Sequence, residues 1–448
     1  MFRKITSCIM AFLIIGLPYN TCSAEISTSS IEKGARLLTI PEGISIVLKD
    51  SRLVKIETAD KDMSFDDTLL ALSPLLPHIS GNISKTYQRY VPAMMFGAMD
   101  VPMSDKNPLS GGFDIYQTLF DFGKSISSYQ ASTEAFHARK ASLDSIKRTV
   151  TLEFIVSYFG LLEVEKMITV AEKEVESLTS YLNDMEHLYD QGIIVENDLL
   201  PAKVKLADAK QKLIASHNGR EVAAALINTM LTLPLTENIL TKDWQSETPK
   251  LPELDEAWNS ALSLRPEITF YNKQIQSSVL RERSKTVQNL PTVFVDGGYQ
   301  YTQNQYMVHE DNAYIKFGAK MDLYDGGATG ADIMKERNLH KKLQEQKNKL
   351  EDDIKFEVKR SYLGLKDAIE KLDVAKGALQ QAEENVRFYR VKYNNGAATS
   401  TDVLEAINLQ TKAQTNYYSA EYELKRSYTR LMYSMGLDLV SLYKETEK

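Results

Sequence analysis

Residue types that could do chemistry are present in this chain, but they are not spaced for it. Six histidines, His78, His137, His187, His217, His309 and His340, are scattered without the short spacings that put two imidazoles on one metal. The run Gly326-Gly327-Ala328-Thr329-Gly330 is rich enough in glycine to cradle a phosphate. It lacks the lysine and spacing of a phosphate-binding loop and reads instead as a strand-to-helix turn. The carboxylates lie mostly on long helical stretches, where they read as solvated faces rather than acid–base pairs. No nucleophile motif appears. The expectation is a protein that is not an enzyme and holds neither cofactor nor metal.

Composition narrows the class further. The chain has 448 residues, a formal net charge of −7, 43% hydrophobic and 25% charged residues, and a mean hydropathy of −0.30. That balance excludes a disordered chain and a bundle of membrane-spanning helices, because no apolar run reaches the roughly 20 residues that a spanning helix needs. The N-terminus has the layout of a secretory signal peptide over residues 1–24: Arg3 and Lys4, an apolar stretch from Cys8 to Leu17, and Cys22-Ser23-Ala24 before Glu25. Both cysteines fall inside it, so the exported chain would have no disulfide and no thiolate site. Pro18-Tyr19-Asn20-Thr21 does not have the small-residue pattern that precedes a lipid-modified cysteine. Without residues 1–24 the charge is −9, which argues against nucleic acid as a partner.

An internal repeat organises the remainder. At an offset of 204, Leu119-Phe120-Asp121 and Gly123 align with Leu323-Tyr324-Asp325 and Gly327. The same offset pairs Ser157-Tyr158 with Ser361-Tyr362, Tyr189 with Tyr393, Gly192 with Gly396, Asp198 with Asp402, and Ala202 with Ala406. Upstream the offset is 214, so the first half carries ten extra residues between Tyr87 and Leu119. The expected division is a first repeat over 25–232, a non-helical segment over 233–253, a second repeat over 254–436 and a tail over 437–448.

Within each repeat the hydrophobic period changes. Around 78–121 and 292–325 apolar residues alternate with polar or small ones, as in Val293, Val295, Tyr299 and Tyr301 or Ile315, Phe317 and Leu323. About ten residues per strand suits either a tilted membrane strand or an amphipathic hairpin on a soluble core. The first hairpin's longer connection, about 91–110, reads as a surface loop. Heptad-like stripes then predict helices over about 124–189 and 329–394, each roughly 100 Å long at 1.5 Å per residue. Turns containing Gly192 and Gly396 follow, with Asn197 or Thr401 available to cap returning helices over about 198–231 and 402–435. Helices near 52–76 and 266–290 precede the hairpins. Stacked on the returning helices, they would run antiparallel beside each long one. Two hairpins cannot close a barrel alone, and open edges in lipid leave backbone groups unpaired.

These features together resemble the TolC family of outer-membrane efflux and secretion channels. The resemblance rests on Leu75-Leu76-Pro77 and Leu290-Pro291 before the hairpins and the Leu-aromatic-Asp motifs after them. It rests equally on the turn motifs Tyr189-x-x-Gly192 with Asp198-Leu199-Leu200-x-Ala202 and Tyr393-x-x-Gly396 with Asp402-Val403-Leu404-x-Ala406. It covers essentially the whole chain after residue 24. It implies a mostly α fold with a small membrane β part. Antiparallel helical hairpins would form an α-barrel, and four strands per chain would contribute to a 12-stranded β-barrel in a homotrimer. It further implies an outer-membrane location with a periplasmic extension. The implied partners are outer-membrane lipid, a periplasmic adaptor and an inner-membrane pump or secretion ATPase that drives a passive duct. An acidic ring at the periplasmic entrance falls on Asp402 and Glu405, one helical turn apart. Asp402, like Asp198, has the alternative role of a helix N-terminal acid. The family's closing links among Tyr, Asp and Arg match Tyr393 and Asp198, but the arginine position carries Ala398. A structural or adhesive coiled-coil envelope protein is the competing reading.

Overall fold

The computed structural model describes residues 36–244 and 250–444. The expected signal peptide lies outside them. In chain order, a short strand β1 (Arg36–Leu38) leads into helices α1 (Ile40–Asp50) and α2 (Arg52–Leu72). Strands β2 (His78–Lys85), β3 (Ala93–Phe96), β4 (Met99–Pro102) and β5 (Leu109–Phe120) follow, then the long helix α3 (Lys124–Asp190) and its return α4 (Glu196–Met230). Strand β6 (Ile239–Thr241) precedes α5 (Leu254–Leu264), α6 (Pro266–Thr286), β7 (Thr292–Thr302), β8 (Asp311–Lys320), α7 (Ala328–Asn394), α8 (Ser400–Ser434) and a short α9 (Leu439–Lys444). Most described residues are helical. The helices come in two sets of equal length: 11, 21, 67 and 35 residues in each.

The long helices begin where the Leu-aromatic-Asp motifs end, for a local reason. Asp121 accepts the Gly123 and Ser125 N–H groups at 3.1 and 2.8 Å, and Asp325 accepts those of Gly327 and Thr329 at 3.0 and 2.8 Å. Each carboxylate satisfies donors that the first helical turn cannot. The glycine-rich run at 326–330 is thus a helix start in which the Gly327, Ala328 and Thr329 N–H groups are already bonded to Asp325.

α3 packs against α2 and α4 and, on its other side, against α6 and α8; α7 then packs against α6 and α8. The layers therefore run α2/α4, α3, α6/α8, α7. The main sheet repeats this order above them, antiparallel throughout, as β2-β5-β7-β8. Being internal, α3 buries 22 residues, whereas α7 at the edge buries 6. Two apolar cores lie along the columns. One surrounds the middle of α3, where Phe154, Tyr158 and Phe159 meet α1, α9 and the parallel β1–β6 pair. The other lies at the α3–α4 and α7–α8 turns, around Met185, Leu199, Val403 and Ile407.

Three expectations change. The 91–110 connection is not a plain loop, because β3 and β4 pair across the Gly97 turn to form a hairpin of their own. The tail carries α9, whose Leu439 and Tyr443 are buried in the central core. The returning helices start at Glu196 and Ser400, two residues before the expected points, so Asn197 and Thr401 are helical rather than capping. Thr399 is the N-cap of α8 because Asp402 then stands at the third helical position and can complete a reciprocal box.

Candidate functional site

Two regions can do work: the sheet and the helical turns at the far end of the molecule. The sheet registers separate its faces. On one face lie Ile79, Ile83, Phe113, Ile115, Val295, Tyr299, Ile315 and Phe317. Ile83 is 80% and Phe317 73% exposed, a poor arrangement in water. The other face carries Ser80, Asn82, Asp114, Asp296, Gln300, Tyr314 and Lys316. There the Tyr314 hydroxyl donates to Asp114 at 2.8 Å, Lys316 lies 3.7 Å from Asp296, and Tyr116 stacks on Phe294 at 5.3 Å. Edge strands β2 and β8 each have one neighbour within the sheet. Among the described residues no helix is long and apolar enough to cross a membrane.

At the turns, both long helices end alike. The Ile193 N–H bonds Leu188 O at 2.9 Å and the Gly192 N–H bonds Tyr189 O at 2.8 Å. Ala397 to Lys392 and Gly396 to Tyr393 repeat this at 2.8 and 2.9 Å. The pattern needs a residue at positive φ, supplied by Gly192 at 72° and Gly396 at 69°. The turn glycines are therefore geometric, and their repetition reflects a repeated helix end.

Asp402 is turned back on its own helix. Its carboxylate accepts the Thr399 N–H at 2.8 Å and the Thr399 hydroxyl at 2.7 Å, while the Asp402 N–H donates to Thr399 Oγ1 at 3.3 Å. The Thr399 side-chain and backbone hydrogen bonds hold the Asp402 carboxyl below its ordinary value. Glu405, a turn later, is exposed. Asp198 has only the weaker half of the same box, accepting the Val195 N–H at 3.4 Å, because a valine side chain cannot cap.

Of the Tyr, Asp and Arg set, the structure brings Tyr393 and Asp198 into electrostatic range without a direct hydrogen bond between them. Burial raises the Tyr393 hydroxyl, and the Asp198 charge adds to this. Tyr189, its counterpart, is 42% exposed and stands apart. Residues that carry no repeated spacing do the joining. Tyr181 is almost fully buried, meets Tyr393 edge-on at 5.8 Å and donates to the Ser400 carbonyl at 3.3 Å. Burial pushes its hydroxyl far above the ordinary tyrosine value. Arg390, one turn before Tyr393, donates to Ser177 Oγ at 2.7 Å, so a guanidinium still links the two long helices although position 398 is alanine. A cavity of about 440 Å³ opens between Tyr181, Asp184, His187, Arg390 and Tyr393. Tyr181 aligns with Asn385 across the repeat, so a search for duplicated residues skips it.

The outer membrane efflux protein family matches residues 44–231 and 258–437, which is most of the chain and both halves. The chain belongs to the outer membrane efflux protein family. Among its relatives, the outer membrane protein TolC of Salmonella enteritidis is 20% identical over 424 residues, covering 90% of this chain and 84% of that one. Its namesake in Escherichia coli (strain K12) is 19% identical, covering 93% and 87%. Among solved structures, the outer-membrane channel OprN superposes with a TM-score of 0.78 at 17% identity, over 89% of this chain and 90% of the other. The Campylobacter jejuni CmeC outer membrane channel gives 0.77 at 15%, over 91% and 89%. This efflux-family chain therefore shares the fold of those channels.

Proposed function

We propose that three copies of this chain form a channel-tunnel in the outer membrane. The observation that carries this reading is the open-edged sheet, apolar on one face and polar on the other, continuous with helical layers in the same order. One chain supplies four strands, too few to enclose a lumen, and in lipid the free edges of β2 and β8 would leave backbone groups unpaired at several kcal/mol each. Pairing β8 of one copy with β2 of the next closes 12 strands from three copies. The apolar face then meets lipid and the polar face lines the duct. The same operation brings the α7 edge against the α2/α4 edge of the neighbouring copy. Both edges carry exposed apolar residues at heptad spacing, Phe356 and Leu363 on α7, and Ile56, Met63 and Leu70 on α2. The two equal sets of helices support reading the chain as a duplicated unit.

The helical part would extend into the periplasm as a tunnel, ending at the turns around Gly192 and Gly396. There Glu405, with Asp402 beside it, would form an acidic ring of threefold symmetry that favours cations. Tyr181, Tyr393, Asp198 and Arg390 would help to hold the mouth closed. The channel would be passive, receiving substrate through a periplasmic adaptor from an inner-membrane pump or secretion ATPase. Planar-bilayer recording tests the reading. Discrete, cation-selective conductance steps are expected from the purified protein, and a preparation that stays folded yet passes no current would refute it.

A further inference from the structure

A cavity of about 430 Å³ opens where α1, α3, the α5–α6 junction and α9 meet, beside the central core. That volume falls in the range of small-molecule sites, about 300–1,000 Å³. Leu48, Leu264 and Leu439 give the cavity apolar wall. Asp144, Lys147 and Arg148 of α3, with Asp438 just before α9, give it charge of both signs.

These charges are not spent on one another. Asp144 is spaced from Lys147 and from Arg148 as ion-paired residues on a helix are, yet among the described residues none of the three forms an ion pair. Arg148 instead donates to Gly436 O at 2.6 Å, which leaves most of its N–H groups for another acceptor. Asp438 is engaged locally, accepting the Val440 and Ser441 N–H groups at 3.1 and 3.3 Å. One carboxylate, Asp144, and two cations, Lys147 and Arg148, thus line the cavity without a partner of opposite charge.

The repeat does not impose this set. At the offset of 204, Asp144, Lys147 and Arg148 correspond to Asn348, Glu351 and Asp352, so both cations become other types in the second half. The turn glycines, which serve the scaffold, are duplicated. α9, which closes one side of the cavity, has no counterpart after α4.

We propose that this cavity binds a free α-amino acid with a large apolar side chain. The ammonium group meets Asp144, the carboxylate meets Arg148 and Lys147, and the side chain lies against Leu48, Leu264 and Leu439. Asp144 and Arg148 stand about 6 Å apart along the helix axis, so a molecule carrying both charges on one carbon reaches both. The guanidinium offers a carboxylate its planar fork. A ligand of one sign would leave the opposite side chain unpaired, and an inorganic ion would leave the apolar wall uncovered. The proposal does not depend on the channel reading, since the cavity lies within one chain.

Equilibrium dialysis of labelled L-phenylalanine against the full-length, detergent-extracted protein tests it. Saturable binding of one molecule per chain is expected. N-acetylphenylalanine, which lacks the ammonium charge, and phenethylamine, which lacks the carboxylate, should each bind about tenfold more weakly or worse, the loss of one charge-assisted contact. Asp144→Asn, an exposed position, should weaken phenylalanine by a similar factor and leave N-acetylphenylalanine unchanged. No saturable binding by the folded parent, N-acetylphenylalanine or phenethylamine binding as tightly as phenylalanine, or Asp144→Asn binding phenylalanine as the parent does would each overturn the proposal. The comparison of ligands uses the parent alone, so it decides the matter even if the variant does not fold.

Discussion

Thr232 and Gly436 occupy equivalent places after α4 and α8, and both have positive φ, 56° and 78°. Glycine adopts that conformation freely, whereas a β-branched residue is strained there by about 1–2 kcal/mol. Thr232→Gly is therefore expected to raise the thermal unfolding midpoint. Gly436→Thr should lower it by more, because an added Cβ would also lie 3.0 Å from Leu264 Cβ. Differential scanning calorimetry of the two variants decides this. Asp402 gives a second expectation. Its folded pKa lies below its unfolded one, so its stabilisation of α8 is present above the ordinary carboxylate value of roughly 4 and fades as pH falls through the folded value. Amide protection at residues 400–404, taken relative to the intrinsic exchange rate at each pH, should fall in that acid range in the parent. Asp402→Asn should already be poorly protected at neutral pH. Because the Asp402 carboxylate is engaged by Thr399, the exposed Glu405 should dominate ion selectivity. Glu405→Ala is expected to reduce cation preference in bilayer recordings more than Asp402→Ala does, and no change in the double variant would remove the ring assignment.

The long helices were legible because their signals are redundant: heptad stripes, no internal proline and a glycine just beyond the end. Other elements were less so, for physical reasons that differ. The starts of α4 and α8 are set by the side chain of Thr399 and the carboxylates of Asp198 and Asp402, which permit more than one frame when only residue types are compared. The six residues of α9 are too few to show a period and fold because Tyr443 finds the central core. The β3–β4 hairpin is hidden by prolines and glycine that look like loop punctuation. Tyr181 is not legible in the sequence, because burial, not spacing, makes it important. It predicts an effect at this scale: Tyr181→Phe removes the hydrogen bond to the Ser400 carbonyl, at a cost of about 1 kcal/mol. Faster hydrogen exchange confined to the α3–α4 and α7–α8 turns is expected, and unaltered exchange there would show that the contact carries no stability.

Across the whole molecule, the uneven burial of two helices of equal length is the most informative feature. α3 is enclosed on both sides and α7 on one, so the array ends in an unsatisfied layer at each edge. The sheet shows the same incompleteness in β2 and β8. A charge at the α7 edge, Phe356→Asp, is expected to separate the copies while leaving the helical content of each intact, since Phe356 is 68% exposed within one chain. Three copies closing a ring would satisfy both sets of edges. Native mass spectrometry of the detergent-extracted protein measures this directly. A single species of three chains is the predicted result, and a stable monomer, dimer or tetramer as the folded form would contradict it.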